Sequence, residues 1–365
     1  MYRSDKIKKL MPYRKYEKLR VVKNICLFSL ILLMFIFSNV KIGFGDISIT
    51  KSITTTGLIT YASQEDGGSS PSPTPSPNPP PISSGFVTSS ELINFYSMTS
   101  SEVSTFVNII KNQNFTEITL RLNAMNEWSS EQPSSSGVAK VKEIITACQS
   151  VGISVNIDLH TWYTTWDNYF RDSASGSSTN RAKYLNYVRN SISAFEGYPV
   201  KAWMVLNEPQ ARTATSSENN FILSIISAAR ERTTKPVSVR FMGGYSPSTG
   251  HYSSAIDDAT DFLCRNVYWD PRNPSQSVYG VTQAKMDGMI QAAHSRGKEL
   301  WITEFGKHND DQQEQAAYIR AFIDYAKSKG IDRVYAWVIQ TENSSAESYN
   351  LFDGYTPLPA FYEIN

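Results

Sequence analysis

Residues 117–159 read EITLRLNAMNEWSSEQPSSSGVAKVKEIITACQSVGISVNIDL, and this stretch decides the fold class. Its two ends, EITLRL and SVNIDL, are short runs rich in β-branched and apolar residues, which is typical of strands. The segment between them, at about 137–150, carries apolar residues at helical spacing. Strand, helix and strand in this order form a βαβ unit with parallel strands. The stretch therefore predicts an α/β protein with a parallel sheet.

The same alternation continues on both sides of this unit. Further apolar runs typical of strands lie at residues 202–206, 237–241, 262–267, 299–303 and 333–339. Amphipathic helical segments separate them, near residues 101–111, 181–195, 218–232, 283–295 and 312–329. A first strand is expected within 86–95. Eight strands that alternate with helices predict a closed (β/α)8 barrel, the TIM-barrel fold.

The chain divides by composition into three parts, residues 1–45, 46–85 and 86–365. The first part is rich in Lys and Arg and then carries the apolar run ICLFSLILLMFIFSNV at 25–40. This order is typical of an export signal, which is either cleaved or retained as a membrane anchor. The second part ends in SSPSPTPSPNPPPISSG at 69–85, which predicts an extended tether. We therefore expect an exported protein, secreted or held at the cell surface, with the barrel as its third part.

Charge and cysteine content narrow the class of function. The formal net charge is +1 and the clustered positive charge lies at the N-terminus, so a nucleic acid partner is not expected. Cys148 and Cys264 lie in a predicted helix and a distant predicted strand, and we expect both to be buried free thiols. The sequence contains no H-E-x-x-H, C-x-x-C or phosphate-binding glycine motif. We expect neither a metal nor a cofactor.

Two glutamates stand where a parallel barrel places its reactive groups. Glu208 follows an apolar run in residues 203–209 (WMVLNEP), and Glu304 ends another in residues 300–306 (LWITEFG). The C-terminal ends of barrel strands face one cleft, and a carboxylate beside buried residues is costly unless it is paired or functional. Two such groups suit glycosidic cleavage, in which retention requires carboxyls about 5 Å apart. We therefore predict that Glu208 is the acid/base and Glu304 the nucleophile.

The N-E-P motif at 207–209 and the E-F-G motif at 304–306 resemble those of glycoside hydrolase family 5, a family of cellulases and mannanases. The resemblance spans most of the predicted barrel. It implies five supporting residues: Arg121 beside the nucleophile, His160 as the strand-three histidine, Asn207 on the sugar 2-hydroxyl, Tyr268 at the nucleophile and Trp337 beneath the sugar ring. On this basis we expect Arg121 to lower the pKa of Glu304, and burial with a neighbouring anion to raise that of Glu208.

The chain departs from the family pattern at two places. Asn266 stands where the family usually has a histidine, two residues before the strand-six tyrosine, and Asn123 replaces a common proline. Neither position carries the acid/base or nucleophile role. These departures concern the subfamily and the substrate more than the mechanism.

Three tryptophans and one tyrosine lie in predicted loops of the barrel, namely Trp162, Tyr163, Trp166 and Trp269. Aromatic faces pack against the apolar faces of sugar rings, so these side chains are candidates for sugar binding as well as for plain loop packing. Trp203 and Trp301 lie inside predicted strands and are expected in the core.

These patterns together indicate an exported retaining glycoside hydrolase that cleaves β-glycosidic bonds inside polysaccharides, as cellulases and mannanases do. Two alternatives stay open: an exo-acting β-glucosidase or glucanase, and a non-catalytic carbohydrate-binding barrel. Two desolvated acids have no use in a protein that only binds sugar, which argues against the second. The expected partner is a polysaccharide or oligosaccharide, with residues 25–40 able to serve as a membrane anchor. No oligomeric state is assigned.

Overall fold

The computed structural model describes residues 85–209, 213–308, 311–340 and 349–364. The hydrophobic run at 25–40 lies outside these residues, as does the predicted tether apart from Gly85. Within the described ranges, no helix combines the length and the apolar character needed to cross a membrane.

Eight parallel strands close into one barrel in sequence order. Their bounds are β1 Val87–Ile93, β2 Glu117–Leu122, β3 Ser154–Leu159, β4 Val200–Asn207, β5 Val237–Met242, β6 Leu263–Asn266, β7 Leu300–Phe305 and β8 Arg333–Gln340. Pairing of β1 with both β2 and β8 completes the ring. The predicted (β/α)8 fold is confirmed, and β1 lies inside the segment in which a first strand was expected.

Helices connect successive strands around the outside of the barrel. The longer ones are α1 Ser100–Asn112, α2 Ser135–Ser150, α3 Ser177–Ala194, α4 Ser216–Arg230, α5 Ser254–Ala259, α6 Gln283–His294 and α7 Gln312–Ser328. Two of them begin with a capping box, in which Thr99 pairs with Glu102 and Thr215 with Glu218. These reciprocal bonds satisfy backbone donors that have no partner inside the helix.

Short helical turns lie in the loops and at the end of the chain. They cover Ala124–Glu127, Trp128–Ser130, Tyr163–Thr165, Trp166–Phe170, Pro247–Thr249 and Pro359–Glu363. The last of them packs against α7, and its Phe361 meets the ring of Phe115 edge-on at 5.5 Å.

Side chains of β4 alternate between the two sides of the barrel wall. Ala202 and Met204 join a small apolar cluster with Phe262, Cys264, Trp301 and Tyr335, whereas Trp203 and Val205 belong to the large cluster under the helices. This alternation follows from the two-residue period of a strand. Trp203 and Trp301 are buried as predicted. The prediction of two buried free thiols, Cys148 and Cys264, is also confirmed.

A buried ionic network occupies the N-terminal end of the barrel. The carboxylate of Glu117, at the start of β2, accepts hydrogen bonds from Arg333, Lys201 and Tyr335. The Arg333 Nε also lies 3.1 Å from Glu299 Oε2. Opposite charges and hydrogen bonds thus compensate each charge that the fold removes from water. The network therefore lies at the opposite end of the barrel from the C-terminal strand ends, where the predicted reactive residues lie.

Candidate active site

A cavity of about 490 Å³ opens at the C-terminal ends of the strands, and both predicted catalytic glutamates line it. Its other lining residues are Arg121, His160, Trp162, Tyr163, Asn207, Met242, Tyr245, Tyr268, Tyr279, Trp337 and Tyr349. All seven of the strand-end residues predicted from the sequence and from the family resemblance therefore face one space. A volume of this size is that of a typical small-molecule site.

Glu208 leaves the end of β4 in an unusual backbone conformation. Its φ is +47°, and its N–H donates to the carbonyl of Arg240 on β5 at 2.9 Å. Positive φ is uncommon for a residue other than glycine and is found most often where function requires it. The turn aims the carboxyl into the cavity instead of continuing the strand.

Asn266 holds the Glu208 carboxyl from the end of β6. Its Nδ2 donates to Glu208 Oε1 at 2.9 Å and to Asn207 Oδ1 at 3.1 Å. The hydroxyl of Thr303 donates to Asn266 Oδ1 at 2.9 Å, which fixes the orientation of the amide. Asn266, at the departure from the family pattern noted in the sequence, thus contacts the Glu208 carboxyl directly.

Glu304 is held by a different set of donors. The Tyr268 hydroxyl donates to its Oε2 at 2.5 Å, and Arg240 NH2 lies 2.9 Å from its Oε1. Tyr268 stays protonated because burial raises its pKa well above the usual value. A cation and a neutral hydroxyl therefore contact Glu304 and stabilise its negative charge, whereas the hydrogen bond that Glu208 accepts from Asn266 comes from a neutral amide.

Arg240 is the centre of a buried ion cluster that the sequence analysis missed. Its guanidinium contacts Asp158 Oδ2 at 2.6 Å and Glu91 Oε2 at 2.7 Å in addition to Glu304. Arg240 and Glu91 are fully buried. A charged residue inside each of the strand segments VSVRFM and VTSSELI was the available signal, because a buried charge needs a partner.

Arg121 lies near the end of β2 and lines the cavity, as predicted, and its direct partners are Glu91 and Trp337. Its Nε pairs with Glu91 Oε1 at 2.8 Å, and its guanidinium lies over the Trp337 ring at 4.4 Å. The guanidinium that contacts Glu304 directly is that of Arg240. Arg121 acts on Glu304 through charge at longer range.

The two carboxyls titrate as a pair above the ordinary range. Burial is the main cause in both: it raises the pKa of Glu208, and it raises that of Glu304 to about 8 against the opposing charge of Arg240. Arg121 lowers the pKa of Glu304 as expected, but the net pKa is raised because burial outweighs the two guanidinium charges. Repulsion from Glu208 also raises the pKa of Glu304. The contact with Arg240 favours the ionised form of Glu304, whereas Glu208 accepts a hydrogen bond from a neutral amide.

His160 and Asn207 are held rigidly beside the pair. His160 Nδ1 lies 3.1 Å from Asp158 Oδ2, and burial lowers its pKa well below the usual value, so the ring is neutral. Asn207 Nδ2 donates to the carbonyl of Thr161 at 3.2 Å, while the Thr161 hydroxyl donates to the Asn207 carbonyl at 2.9 Å. Fixed side chains of this kind preserve the geometry that catalysis requires.

The three tryptophans that lie in loops differ in their exposure to the cavity. Trp162 is 42% exposed and lines the cavity, as a sugar-binding ring must. Trp166 and Trp269 are each only 1% exposed and lie outside the cavity lining, so a stacking role for them is wrong. Trp166 packs against Phe170 and Phe221 in the core. The positions of Trp166 and Trp269 in loops suggested exposure, but the folded loops bury both rings.

Tyr163, which was predicted as a candidate for sugar binding, also lines the cavity. Three tyrosines at the cavity were not among the predicted site residues: Tyr245, Tyr279 and Tyr349. Each follows a strand in a connecting segment, but tyrosine is common in this chain and the segments carry no motif. Only the folded loops show which tyrosines turn toward the site.

Glu91, Asp158 and His160 lie close enough together to bind a metal ion. Their carboxylates, however, already pair with Arg240 and Arg121. The positive charge that a cation would supply is thus provided by two guanidinium groups, and the cluster fits an ion-pair network.

A family model described as cellulase (glycosyl hydrolase family 5) matches residues 81–343. A comparison of the sequence with curated proteins finds no match. Among solved structures, a GH113 β-1,4-mannanase superposes with a TM-score of 0.57 at 14% identity, over 76% of this chain and 99% of the other.

Two further structures show the same fold similarity. The endo-1,4-β-D-mannanase of Thermotoga petrophila RKU-1 has a TM-score of 0.56 at 16% identity, over 77% of this chain and 98% of its own. A GH5-4 broad-specificity endoglucanase from Clostridium longisporum has a TM-score of 0.52 at 15% identity, over 73% and 85%. At these identities the structural neighbours show the barrel fold, and the family model shows the family.

Proposed function

Because the chain belongs to glycosyl hydrolase family 5 and is a glycosidase of that family, we propose that it cleaves β-glycosidic bonds of polysaccharides with retention of configuration. Glu208 is the acid/base and Glu304 the nucleophile. The observation that carries this assignment is the unequal setting of two glutamates in one cavity. Glu304 faces a guanidinium and a tyrosine hydroxyl, and Glu208 faces one amide.

In the first step of the proposed reaction, the Glu304 carboxylate attacks the anomeric carbon while the bond to the leaving oxygen breaks. The proton on Glu208 moves to that oxygen, so the leaving sugar departs as an alcohol. Arg240 stabilises the Glu304 carboxylate before attack, and Asn207 is placed to bind the sugar 2-hydroxyl. When Glu304 becomes a glycosyl ester it loses its negative charge. The Glu208 carboxyl can therefore be ionised in the intermediate.

In the second step, Glu208 acts as the base. Its carboxylate takes a proton from water, and the water oxygen adds to the anomeric carbon as the ester bond to Glu304 breaks. Both carboxyls return to their starting states. Two inversions at one carbon give net retention.

The proposed substrates are β-linked glucans or mannans cleaved within the chain. The structural neighbours include a β-1,4-mannanase and a broad-specificity endoglucanase, and the cavity here is lined by aromatic rings that suit the apolar faces of pyranoses. An exo-acting glucosidase or glucanase is the alternative that product analysis separates.

We also propose that the enzyme is exported, because a basic segment followed by the apolar run at 25–40 has the pattern of a signal or anchor. Fractionation of producing cells into medium, membrane and cytosol tests this. Recovery of the full-length chain in the cytosol alone would contradict it.

The catalytic assignment is tested by hydrolysis of a glucan, mannan and xylan panel, with the anomer formed first identified by NMR. We expect a retained anomer, and a loss of about 10³-fold in kcat/KM for Glu208→Ala and at least as much for Glu304→Ala. The exposed Glu196 provides a matched control, and Glu196→Ala should leave kcat/KM unchanged. An inverted product, or near-normal activity of Glu304→Ala, would contradict the assignment.

A further inference from the structure

A two-residue turn carries Tyr279 to the rim of the cavity. Val278 and Val281 exchange backbone hydrogen bonds, 3.2 Å from Val278 N to Val281 O and 2.9 Å in the other direction. Tyr279 and Gly280 between them have φ values of +48° and +75°. Positive φ at both central residues is the pattern of a type I′ turn, which strongly prefers Asn-Gly.

Tyrosine is therefore a poor residue for the backbone that it occupies. A bulky side chain at positive φ is a conformational outlier, and such outliers concentrate at functional sites. Tyr279 is also 62% exposed, so burial of its ring does not compensate for the backbone strain. The ring nevertheless lines the cavity, and meets the ring of Tyr268 edge-on at 5.7 Å.

Two contacts seat the turn against the end of β5. Gly244 lies so close that a Cβ built on it would approach the Tyr279 carbonyl oxygen to 2.5 Å. Lys285, in the first turn of α6, donates from Nζ to the Gly244 carbonyl at 3.0 Å. The position of Tyr279 is thus set by packing against β5 and is not that of a loose loop tip.

The place of Tyr279 around the barrel identifies the sugar that it faces. The turn lies over β5 and β6, and β5 adjoins β4, from which Glu208 projects. Trp337 stands on β8, on the other side of β7 and Glu304. An acid must protonate the leaving oxygen, so the leaving sugar lies on the side of Glu208, away from Trp337.

We infer that Tyr279 is a specificity-determining residue whose ring stacks on the leaving-group sugar, on the β5–β6 side of the carboxyl pair. This inference rests on the proposed function. It means that the enzyme binds sugar residues on both sides of the cleaved bond, which suits cleavage inside a chain. The strain at Tyr279 is kept because the ring contributes to binding.

Two substrates that carry the same sugar on the Trp337 side distinguish a role of Tyr279 in binding the leaving sugar from a general role in the reaction. One is an oligosaccharide, whose leaving group is a sugar; the other is the matching β-glycosyl fluoride, whose leaving group is fluoride. The variants are Tyr279→Asn, which removes the ring and suits positive φ, and Tyr279→Phe, which keeps the ring. Tyr362 is remote and 56% exposed, so Tyr362→Asn is the matched control.

For Tyr279→Asn we expect kcat/KM on the oligosaccharide to fall about 10-fold, because one ring contact is lost. On the fluoride we expect less than a twofold change. Tyr279→Phe and Tyr362→Asn should stay near wild type on both substrates. The Tm of Tyr279→Asn should be unchanged or raised by about 2 °C, because the strained residue is replaced by one that the turn prefers.

Equal losses on both substrates, or no loss on either, would overturn the inference while leaving the glycosidase assignment intact. A wild-type enzyme that is inactive on both substrates and on the polysaccharide panel would overturn the proposed function, and the inference with it.

Discussion

Glu208 and Glu304 are the same amino acid in two surroundings, and the difference is produced by single neighbouring residues. Glu304 faces Arg240 and Tyr268, which favour its anion, while Glu208 faces the amide of Asn266. A retaining mechanism needs this inequality, because one carboxyl must hold a proton and the other must not. Asn266 is the neighbour that gives the clearest experimental test, since it donates to Glu208, the proposed acid/base, and cannot itself ionise.

Asn266→Leu should move the basic limb of the pH profile of kcat/KM to higher pH. The hydrogen bond from Asn266 lowers the pKa of Glu208, so its removal raises that pKa, and the acid stays protonated to higher pH. One such bond contributes about 1 kcal/mol, which corresponds to a shift of up to about one pH unit. The charges of Arg240, Arg121 and Asp158 also act on Glu208 and are unchanged in this variant.

Thr303→Val provides the graded comparison for this prediction. It removes the hydroxyl that orients the Asn266 amide but leaves the amide in place, so a smaller shift in the same direction is expected. A basic limb that stays at its wild-type position in both variants would show that Asn266 serves packing and not the acid/base group.

The loops after β5 and β6 act as one element at the cavity. Gly243 and Gly244 directly follow β5. The segment that connects β6 to α6 packs closely against both glycines. With a side chain at Gly243, Cβ would meet Val267 Cγ2 at 2.8 Å and Val281 Cγ2 at 3.0 Å. Glycine is needed here for close approach, because these two valine methyl groups leave no room for a further methyl group.

Gly244→Ala should displace the Tyr279 turn and weaken binding of substrates with a sugar leaving group. The added Cβ would clash with a backbone oxygen, which cannot rotate away as a side chain can. We expect kcat/KM on an oligosaccharide to fall about 10-fold, with a small effect on the glycosyl fluoride. Steady-state kinetics on the two substrates measures this.

Gly288→Ala is the matched control for that variant. Gly288 lies inside α6, and a Cβ there meets nothing within 4 Å. Because alanine favours a helix over glycine, we expect stability to rise by about 0.5–1 kcal/mol with unchanged kinetics. If Gly244→Ala behaves like Gly288→Ala, the turn does not depend on close contact with β5.

Stability and function depend on opposite ends of the barrel. Ionic networks lie at both ends, around Glu117 at the N-terminal end and around Arg240 at the C-terminal end. Between them a small apolar cluster that includes Met204 and Trp301 fills the interior. This division is characteristic of the fold, in which one face carries the chemistry and the other contributes stability.

Glu117→Leu should therefore destabilise the protein without slowing the reaction. It leaves Arg333 buried with Glu299 as its remaining carboxylate, and the loss of one partner of a buried pair costs about 3–5 kcal/mol. Urea unfolding measures the loss, and kcat/KM at 25 °C should stay within about twofold of wild type. A large change in kcat/KM with unchanged unfolding would contradict the division.

The double variant Glu117→Leu with Arg333→Met checks the cause. Removing both charges leaves no buried ion without its partner, so part of the lost stability should return. Lys201 stays, but its side chain is 28% exposed and reaches solvent. If the double variant is instead less stable than Glu117→Leu alone, because Arg333→Met opens a second cavity, the loss of stability comes from packing and not from charge.

Much of the barrel was predictable from the sequence because it rests on local patterns. Strands β2 and β3 have the bounds that were predicted, and the others differ by a few residues at their ends. Parallel strands covered on both faces are nearly continuous apolar runs, so they stand out from the helices. β1 was the hardest to place because Ser89, Ser90 and Glu91 interrupt its apolar pattern. Tertiary contacts explain this interruption, since the Ser90 hydroxyl bonds to β8 and Glu91 pairs with Arg240.

By itself, the sequence determined the class of fold, the two glutamates at strand ends and the cavity-facing positions of Arg121, His160, Asn207, Tyr268 and Trp337. The fold class and the two glutamates follow from short patterns and from the rule that strand ends converge, and the five supporting positions follow from the family resemblance. Only the tertiary structure decided that Arg240, and not Arg121, contacts Glu304, that Trp166 and Trp269 are buried, and that Tyr279 faces the site. The physical reason is that charge pairing and loop packing join residues far apart in the chain, and no local pattern records which partners meet.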